Sequence, residues 1–345
     1  MQERANSLLR FLDRYAGIPL IFILGFFRKK RALPSEINRI ALLKTAGIGD
    51  LVLLTAIIKD LKEKFSSITL FVGSSNEEMA ELIPGIEVVK LPITHPLQAI
   101  KLLRKTSFDV WLDFGPWPRI NALFSYFAKA KYTIGFHSFK EYRHYIYDNV
   151  FLHKKDCHEL ENFRQLLTPF ISFPKHLPHL NLPISFSKKV VIHCFKAGVD
   201  KQYYMWPKER WICLIDQLTG LGFECLLTGG KEDAKEALAL KELCQNKELV
   251  SSFAGLLSLK QTTELLAHSF SIISIDTGIM HLAAALQKPV ICLHGLASPL
   301  RWGAIGKNVF ALPKNYIDSK NKETIFSIEV DEVLHTFKEI CKKDY

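Results

Sequence analysis

Short runs of apolar residues alternate with amphipathic segments from residue 37 onward. In the first half of the chain, strand-like apolar runs lie at residues 40–43, 68–72, 86–91, 108–112 and 132–134. Helical spacing of apolar residues separates them, at residues 50–65, 75–82, 96–105 and 119–130. Alternation of this kind predicts a parallel sheet that is covered by helices on both faces.

A proline-rich stretch with little helical pattern interrupts this alternation at residues 173–189. The alternation then restarts, with predicted strands at 190–194, 223–227, 271–275 and 290–293 and predicted helices at 207–219, 231–245, 279–286 and 330–341. We therefore expect an α/β protein with one domain over residues 37–172, a linker over residues 173–189 and a second domain over residues 190–345. Ligands usually bind in the cleft between such domains.

The first 36 residues follow a different pattern. An apolar run at residues 16–27 comes after Arg4, Arg10 and Arg14, and the basic stretch of residues 28–31 follows it. A signal peptide would continue into a small-residue cleavage site, and a helix that spans a bilayer needs about 20 apolar residues. Residues 1–36 are therefore either a segment that lies in an anionic membrane interface or a helix packed on the protein's own surface.

The composition is that of a globular protein, with 48% hydrophobic and 23% charged residues. The net charge of +10 favours an acidic partner, but the basic residues form no aromatic-interleaved motif, so we do not expect nucleic acid. No Asp-x-Asp triplet occurs, so we do not expect a metal ion that bridges a diphosphate. The cysteines form no CxxC pair, and we expect four of them to be buried in a reducing, cytoplasmic compartment: Cys194, Cys213, Cys225 and Cys292.

A glycine turn links the first predicted strand to the helix that follows it. Gly47 and Gly49 let a ligand approach the backbone closely, and Asp50 stands at the start of the helix. Asp50 has two interpretations. It is either a helix N-cap or a functional carboxylate at the edge of the sheet where α/β folds place their chemistry.

A second turn, Asp276-Thr277-Gly278, joins a strand to a helix rich in small residues. The first turn of that helix offers backbone N–H groups to a diphosphate, and His281 adds a donor. The alternative is that Asp276 or Thr277 caps the helix and His281 is a surface residue.

Two further turns of the second half carry charged residues. Lys196 and Lys201 follow the first strand of the second domain and are able to reach a phosphate, or they are solvated loop residues. Glu232 follows the next glycine turn, where it either accepts hydrogen bonds from ribose hydroxyls or caps a helix.

Taken together, these turns resemble those of glycosyltransferase family 9, the ADP-heptose:lipopolysaccharide heptosyltransferases. The resemblance runs from about residue 37 to residue 306. It includes the first strand leading to Gly49-Asp50, the pair Trp206-Pro207, and the stretch from Asp276-Thr277-Gly278 to His281 and its alanine-rich helix. Arg301-Trp302-Gly303 completes the ordered set.

The resemblance implies a GT-B fold, in which two Rossmann-like domains face each other across a cleft. The first domain would bind the acceptor, and the second would bind the sugar nucleotide. Asp50 would be the general base, and the donor would be held by Asp276, Thr277, Gly278 and His281, by Glu232 near the ribose, and by Lys196. The family's lysine lies shortly before Trp-Pro, which we assign to Lys201 with residues 202–205 as an insertion.

The implied reaction is an inverting transfer of a sugar, a heptose from ADP-heptose, to a lipopolysaccharide-core or lipid-linked acceptor. It would take place on the cytoplasmic face of the membrane, with the sugar nucleotide as a substrate and no cofactor. Two alternatives stay open: a GT-B-type sugar-nucleotide epimerase and a non-catalytic protein that binds an anionic glycolipid.

Overall fold

The computed structural model describes residue 11 and residues 13–196, 201–316 and 324–343, with the backbone alone at residue 201. The chain forms two compact units, Met1–His176 and Leu177–Tyr345. The division between them falls within the proline-rich stretch of residues 173–189.

The first unit is a doubly wound parallel sheet. Its strands are β1 (Arg39–Lys44), β2 (Ser67–Val72), β3 (Glu87–Lys90), β4 (Phe108–Asp113), β5 (Ala130–His137) and β6 (Asn149–Leu152). Its helices are α1 (Gly17–Phe26), α2 (Ile48–Lys62), α3 (Glu77–Ala80), α4 (Pro96–Leu103), α5 (Arg119–Phe127) and α6 (Glu159–Gln165). The strand order is β3-β2-β1-β4-β5-β6, so the winding reverses between β1 and β4. Ligands bind at such a reversal in open α/β sheets.

The second unit repeats this architecture. Its strands are β7 (Lys189–His193), β8 (Glu224–Leu227), β9 (Val250–Ser252), β10 (Ser271–Ile275), β11 (Val290–Leu293) and β12 (Val309–Leu312). Its helices are α7 (Lys208–Gly220), α8 (Ala234–Glu242), α9 (Leu259–Ala267), α10 (Gly278–Ala285), α11 (Pro299–Trp302) and α12 (Val330–Cys341). The order β12-β11-β10-β7-β8-β9 places the reversal between β7 and β10.

The central strands are continuous apolar runs because helices cover both faces of each sheet. All five residues of β10 are buried, as are the last five of β1. In the second unit, Trp206 and Trp211 belong to the core and their rings lie edge to face, 5.0 Å apart. The Trp-Pro pair of the family resemblance is thus part of the packing of this unit. The predicted α/β class with two Rossmann-like units is confirmed.

Several predicted boundaries differ from the structure. The helix predicted over residues 119–130 ends at Phe127, and β5 begins at Ala130 and continues to His137, beyond the strand predicted at 132–134. The backbone N–H of Ala128 caps the helix at the carbonyl of Phe124, and Ala130 then pairs with Phe108 of β4. Cys213, which we expected to be buried, is exposed because it lies on the outer face of α7.

Helix α1 packs on the first unit through one stripe of small and apolar residues. Gly17, Ile21 and Gly25 are spaced by four residues, and Ile21 is fully buried. A Cβ on Gly25 would lie 2.7 Å from the Cβ of Tyr145, so glycine is required for this close approach. After α1, Arg28 and Arg31 both pair with the buried carboxylate of Asp148.

Candidate active site

The turn after β1 places Asp50 at the carboxyl edge of the first sheet. Gly47 has φ of 96° and is the N-cap of α2, so Asp50 is the third residue of the helix. The N-cap interpretation of Asp50 is therefore wrong. A side chain at Gly47 would be strained, because L-residues rarely adopt this φ.

Lys44, the last residue of β1, is a site residue that the sequence analysis missed. Its ammonium lies 2.7 Å from Oδ2 of Asp50, and its side chain is 4% exposed, compared with 17% for Asp50. The ring of Phe163 lies 5.6 Å from the Lys44 ammonium, and the backbone carbonyl of Lys44 accepts a hydrogen bond from Asn76. The strand end therefore holds a buried cation against the candidate base.

A buried polar network supports the neighbouring strand end. Asp113 ends β4 and accepts hydrogen bonds from Arg143 and from the hydroxyl of Tyr147, which lies 2.6 Å away. Arg143 also donates to the carbonyl of Gly115. The side chains of Asp113, Arg143 and Tyr147 are fully buried. Burial raises the pKa of Tyr147 well above its ordinary value, so its hydroxyl remains a donor. The network fixes the β4–α5 loop beside the β1–α2 turn.

In the second unit, the β10–α10 turn brings four of the predicted residues together. Thr277 is the N-cap of α10, and its Oγ1 accepts a hydrogen bond from the N–H of Ile279. Gly278 is the first helical residue, and His281 lies in the next turn of the helix. Asp276 stands directly after β10 and is largely buried. Thr277 therefore performs the capping role that was one of the alternatives for this turn.

Lys196 reaches the same turn from the neighbouring strand, β7. Its ammonium donates to the backbone carbonyl of Asp276 at 2.7 Å and lies 3.5 Å from the Asp276 carboxylate. It also lies 3.9 Å from the centre of the Tyr204 ring. This places a cation at the reversal of winding, beside the N-terminus of α10, where an anion is favoured.

The other two predicted residues are placed differently. Glu232 is exposed in a short 3-10 turn after β8, which lies on the far side of β7 from β10. The Lys201 side chain lies outside the described residues, so the structure supplies no contact for it. The carboxyl ends of β10, β7 and β8 thus carry Asp276, Lys196 and Glu232 in that order along the sheet.

His294 is a second side chain that the sequence analysis missed. It follows β11 and is fully buried. Burial lowers its pKa below the ordinary value; the charge of Asp276 opposes this shift, and that of Lys196 adds to it. The ring is therefore neutral at neutral pH.

Within the described ranges, no group of three or more His, Cys, Asp or Glu side chains has the arrangement of a metal site. Among the same residues, no helix has the length and apolar character needed to cross a membrane.

Each unit is thus a doubly wound parallel sheet with charged side chains at its reversal of winding. The sequence model of glycosyltransferase family 9 (heptosyltransferase) matches residues 96–327, two thirds of the chain. The chain therefore belongs to glycosyltransferase family 9.

Individual relatives agree with this assignment. The chain is 30% identical to lipopolysaccharide heptosyltransferase 1 of Salmonella typhimurium over 168 residues, which cover 46% of this chain and 51% of the relative. In fold it is similar to the E. coli ADP-heptose lipopolysaccharide heptosyltransferase II, with a TM-score of 0.74 and 18% identity over 88% of this chain and 98% of that one. It is likewise similar to E. coli heptosyltransferase WaaC with ADP, with a TM-score of 0.73 and 20% identity over 88% and 99% of the two chains. The chain spans about half the length of the first curated relatives that it matches.

Proposed function

We propose that this chain is an inverting glycosyltransferase that transfers a heptose from ADP-heptose to a lipopolysaccharide-core acceptor. The observation that carries the proposal is the carboxylate of Asp50, which is held by the buried ammonium of Lys44 at the carboxyl edge of the first sheet. The sugar and the acceptor are taken from the relatives, whose names specify lipopolysaccharide and ADP-heptose.

In the proposed reaction, Asp50 removes the proton from an acceptor hydroxyl while that oxygen attacks the anomeric carbon. The bond from that carbon to the diphosphate breaks on the opposite face, so the configuration inverts. General-base assistance of this kind contributes about 10²–10⁴-fold to the rate. Lys44 holds the carboxylate in place.

The leaving nucleoside diphosphate gains negative charge as the bond breaks. In the second unit, the N–H groups at the start of α10, the His281 ring and the Lys196 ammonium are the groups that would stabilise it. Lys201 would add a second cation, and Glu232 would accept hydrogen bonds from the ribose. We propose that these side chains perform the stabilisation without a metal ion.

Family membership favours this transfer over the two alternatives. An epimerase of similar architecture acts on the donor alone and needs a second set of acid and base groups around the sugar. A binding protein needs no base, whereas the carboxylate of Asp50 is held by Lys44 at the carboxyl edge of the first sheet, which favours the enzyme.

The test is to incubate the purified chain with ADP-heptose, with and without a heptose-deficient lipopolysaccharide. We expect ADP release that depends on the acceptor, a gain of one heptose in the mass of the acceptor, and an inverted anomeric configuration by NMR. Conversion of ADP-heptose without the acceptor would support the epimerase, and no conversion of it or of other sugar nucleotides would refute the enzyme proposal.

We also propose that the enzyme lies on the inner face of the cytoplasmic membrane and contacts anionic lipid through α1. The outward residues of α1 and the residue that follows it are apolar and strongly exposed, with Ile23 at 57%, Phe26 at 85% and Phe27 at 73%. Lys29 and Lys30, directly after the helix, are also exposed. An apolar face flanked by lysines matches the boundary between acyl chains and acidic headgroups.

The contacts of Arg28 and Arg31 refine this proposal. Because Arg28 and Arg31 share the single carboxylate of Asp148, one of their two positive charges is offset within the protein, and the exposed Lys29 and Lys30 are the side chains best placed to meet the headgroups. Deleting the segment would also expose the partners of Ile21 and leave Asp148 without its cations, so point substitutions are the better test.

The test compares the intact chain with Phe26→Ser/Phe27→Ser and with Lys29→Glu/Lys30→Glu in flotation with phosphatidylglycerol vesicles. We expect both variants to float less than the parent, and the parent to float less at high salt. Phe173→Ser is the matched control, because Phe173 is 88% exposed and lies outside α1. Equal flotation of all four proteins would refute the proposal.

A further inference from the structure

The His294 ring is buried and has no hydrogen-bond partner among the described residues. Its side chain has 0% exposure, and neither Nδ1 nor Nε2 has a partner within the part of the chain that the structure describes. A buried imidazole in this state has lost its hydrogen bonds to water and gained none in return. An apolar side chain would avoid this loss, so the position of the ring requires an explanation beyond packing.

The ring stands beside the charged groups of the second unit. The parallel register pairs Ile275 of β10 with Leu293 of β11, so Asp276 and His294 follow next to each other at the sheet edge. The charges of Asp276, after β10, and of Lys196, after β7, both act on the ring.

Gly295, the residue after His294, contacts uncharged groups among the described residues. The Tyr316 hydroxyl donates to the carbonyl of Gly295 at 3.1 Å, and the backbone of Tyr203 packs against the same glycine. In the ligand-free protein, burial and the repulsion from Lys196 keep the ring neutral. Among the described residues, the charges that act on the ring are those of one carboxylate and one ammonium.

We propose that His294 takes up a proton from solvent when the diphosphate of the donor binds to the second unit, and thereby acts as a positioning residue for Asp276 and Lys196. The proposal rests on the proposed function, because it requires a diphosphate at the N-terminus of α10. A diphosphate brings several negative charges to this edge, and nearby negative charge favours the protonated form of histidine. The effect is strong because the ring is shielded from water. When the nucleoside diphosphate leaves, the proton returns to solvent.

The test is calorimetric titration with ADP at pH 6.5, in two buffers that differ in ionisation enthalpy, which gives the number of protons taken up on binding. We expect the parent chain to take up more protons than His294→Gln and His294→Phe, by about half to one proton per ADP. The terminal phosphate of ADP ionises in the same pH range, so the comparison between chains, not the absolute count, carries the result. Adenosine, which lacks the diphosphate, should give no difference.

Three controls separate the possible outcomes. His281→Gln lies in the same site and should retain the extra proton, and His268→Gln, at the end of α9, should match the parent. The affinities of the parent and the His294 variants should differ several-fold at pH 6.5 and converge at pH 8.5. A purely structural role would instead change the affinity equally at both pH values.

An unchanged proton count in both His294 variants would overturn this inference while leaving ADP binding, and the proposed function, intact. Loss of the extra proton in His281→Gln alone would also overturn it. Failure of the parent chain to bind ADP would overturn both. If His294→Gln does not fold, His294→Phe fills the same space with an apolar ring and retains the readout.

Discussion

The ammonium of Lys44 lies 2.7 Å from the carboxylate of Asp50 and joins the end of β1 to the first turn of α2. The lysine is almost completely buried, whereas the aspartate retains some exposure to solvent. A base must be held within hydrogen-bonding reach of the proton that it removes. The ion pair holds Asp50 in one position at the sheet edge, and it also couples any change at Asp50 to the stability of the first unit.

Asp50→Asn should reduce glycosyl transfer by about 10²-fold or more, because the amide does not accept a proton at neutral pH. Affinity for ADP should stay near that of the parent, because the candidate donor residues belong to the second unit. The measurement combines acceptor-dependent ADP release with calorimetric titration. Transfer at the parent rate would remove Asp50 from the mechanism.

The same substitution should also cost stability, because the Lys44 ammonium then faces a neutral amide. We expect a loss on the order of 1–3 kcal/mol in the free energy of unfolding. The double variant Lys44→Met/Asp50→Asn removes both charges and should recover most of this loss while remaining inactive. A double variant that regains activity would show that the defect of Asp50→Asn arises from the unpaired lysine and not from a missing base.

Lys196→Met should weaken ADP binding by about 10- to 100-fold, the range expected for a hydrogen bond to a charged group. Adenosine binding should not change, because the lysine is placed to contact the diphosphate. Lys189→Met is the matched control, since Lys189 begins the strand whose far end leads to Lys196 and has a half-exposed side chain. If ADP affinity falls in Lys201→Met and not in Lys196→Met, then Lys201 is the phosphate-binding lysine.

The sequence predicted those strands whose burial on both faces requires a continuous apolar run, as in β1 and β10. It did not predict the edge strands β6, β9 and β12. β6 has three partly buried residues and one exposed residue, and β9 is three residues long and contains two serines. Each of the three strands is only three or four residues long and pairs with one neighbouring strand, so its pattern does not stand out from the loops around it.

The sequence identified those residues of the candidate site whose placement depends on residues adjacent to them in the chain. The glycine turns identified Asp50 and the Asp276 turn, because a turn and the helix after it are encoded by adjacent residues. Lys44 and His294 were missed because each stands at the end of an apolar strand and obtains its charged neighbour only through the turn or the strand pairing. Such contacts depend on tertiary structure, which a pattern along the chain does not specify.

His193 should make the second unit sensitive to acid. Burial lowers the pKa of this histidine from 6.5 to about 4, and its Nδ1 lies 3.0 Å from the hydroxyl of Thr228. The folded protein therefore binds fewer protons than the unfolded chain between these two pH values. The free energy of unfolding should fall as the pH drops from about 6.5 to about 4, by at most about 1.4 kcal/mol per pH unit. Denaturant unfolding of the parent and of His193→Gln at several pH values would isolate the contribution of His193 to the pH dependence of stability. Parallel pH profiles of the two proteins would contradict the prediction.

Lys288 is a buried cation whose replacement should stabilise the protein. Its ammonium donates to the carbonyl of Ser185 at 2.9 Å and lies 3.4 Å from the centre of the Phe186 ring, and burial lowers its pKa from 10.5 to about 8. Because the folded-state pKa is lowered, the folded protein binds fewer protons than the unfolded chain between pH 8 and 10.5. The free energy of unfolding therefore rises with pH in that interval. At pH 7 the lysine is charged in both states, so its burial imposes the full penalty.

Lys288→Met keeps the length of the side chain and removes the charge, and it should raise the free energy of unfolding at pH 7 by on the order of 1–2 kcal/mol after the loss of one hydrogen bond. The gain should shrink at pH 10, and the control Lys288→Arg, which keeps the charge, should show no gain. A methionine variant that is less stable than the parent at pH 7 would show that the contacts with Ser185 and Phe186 outweigh the cost of burying the ammonium.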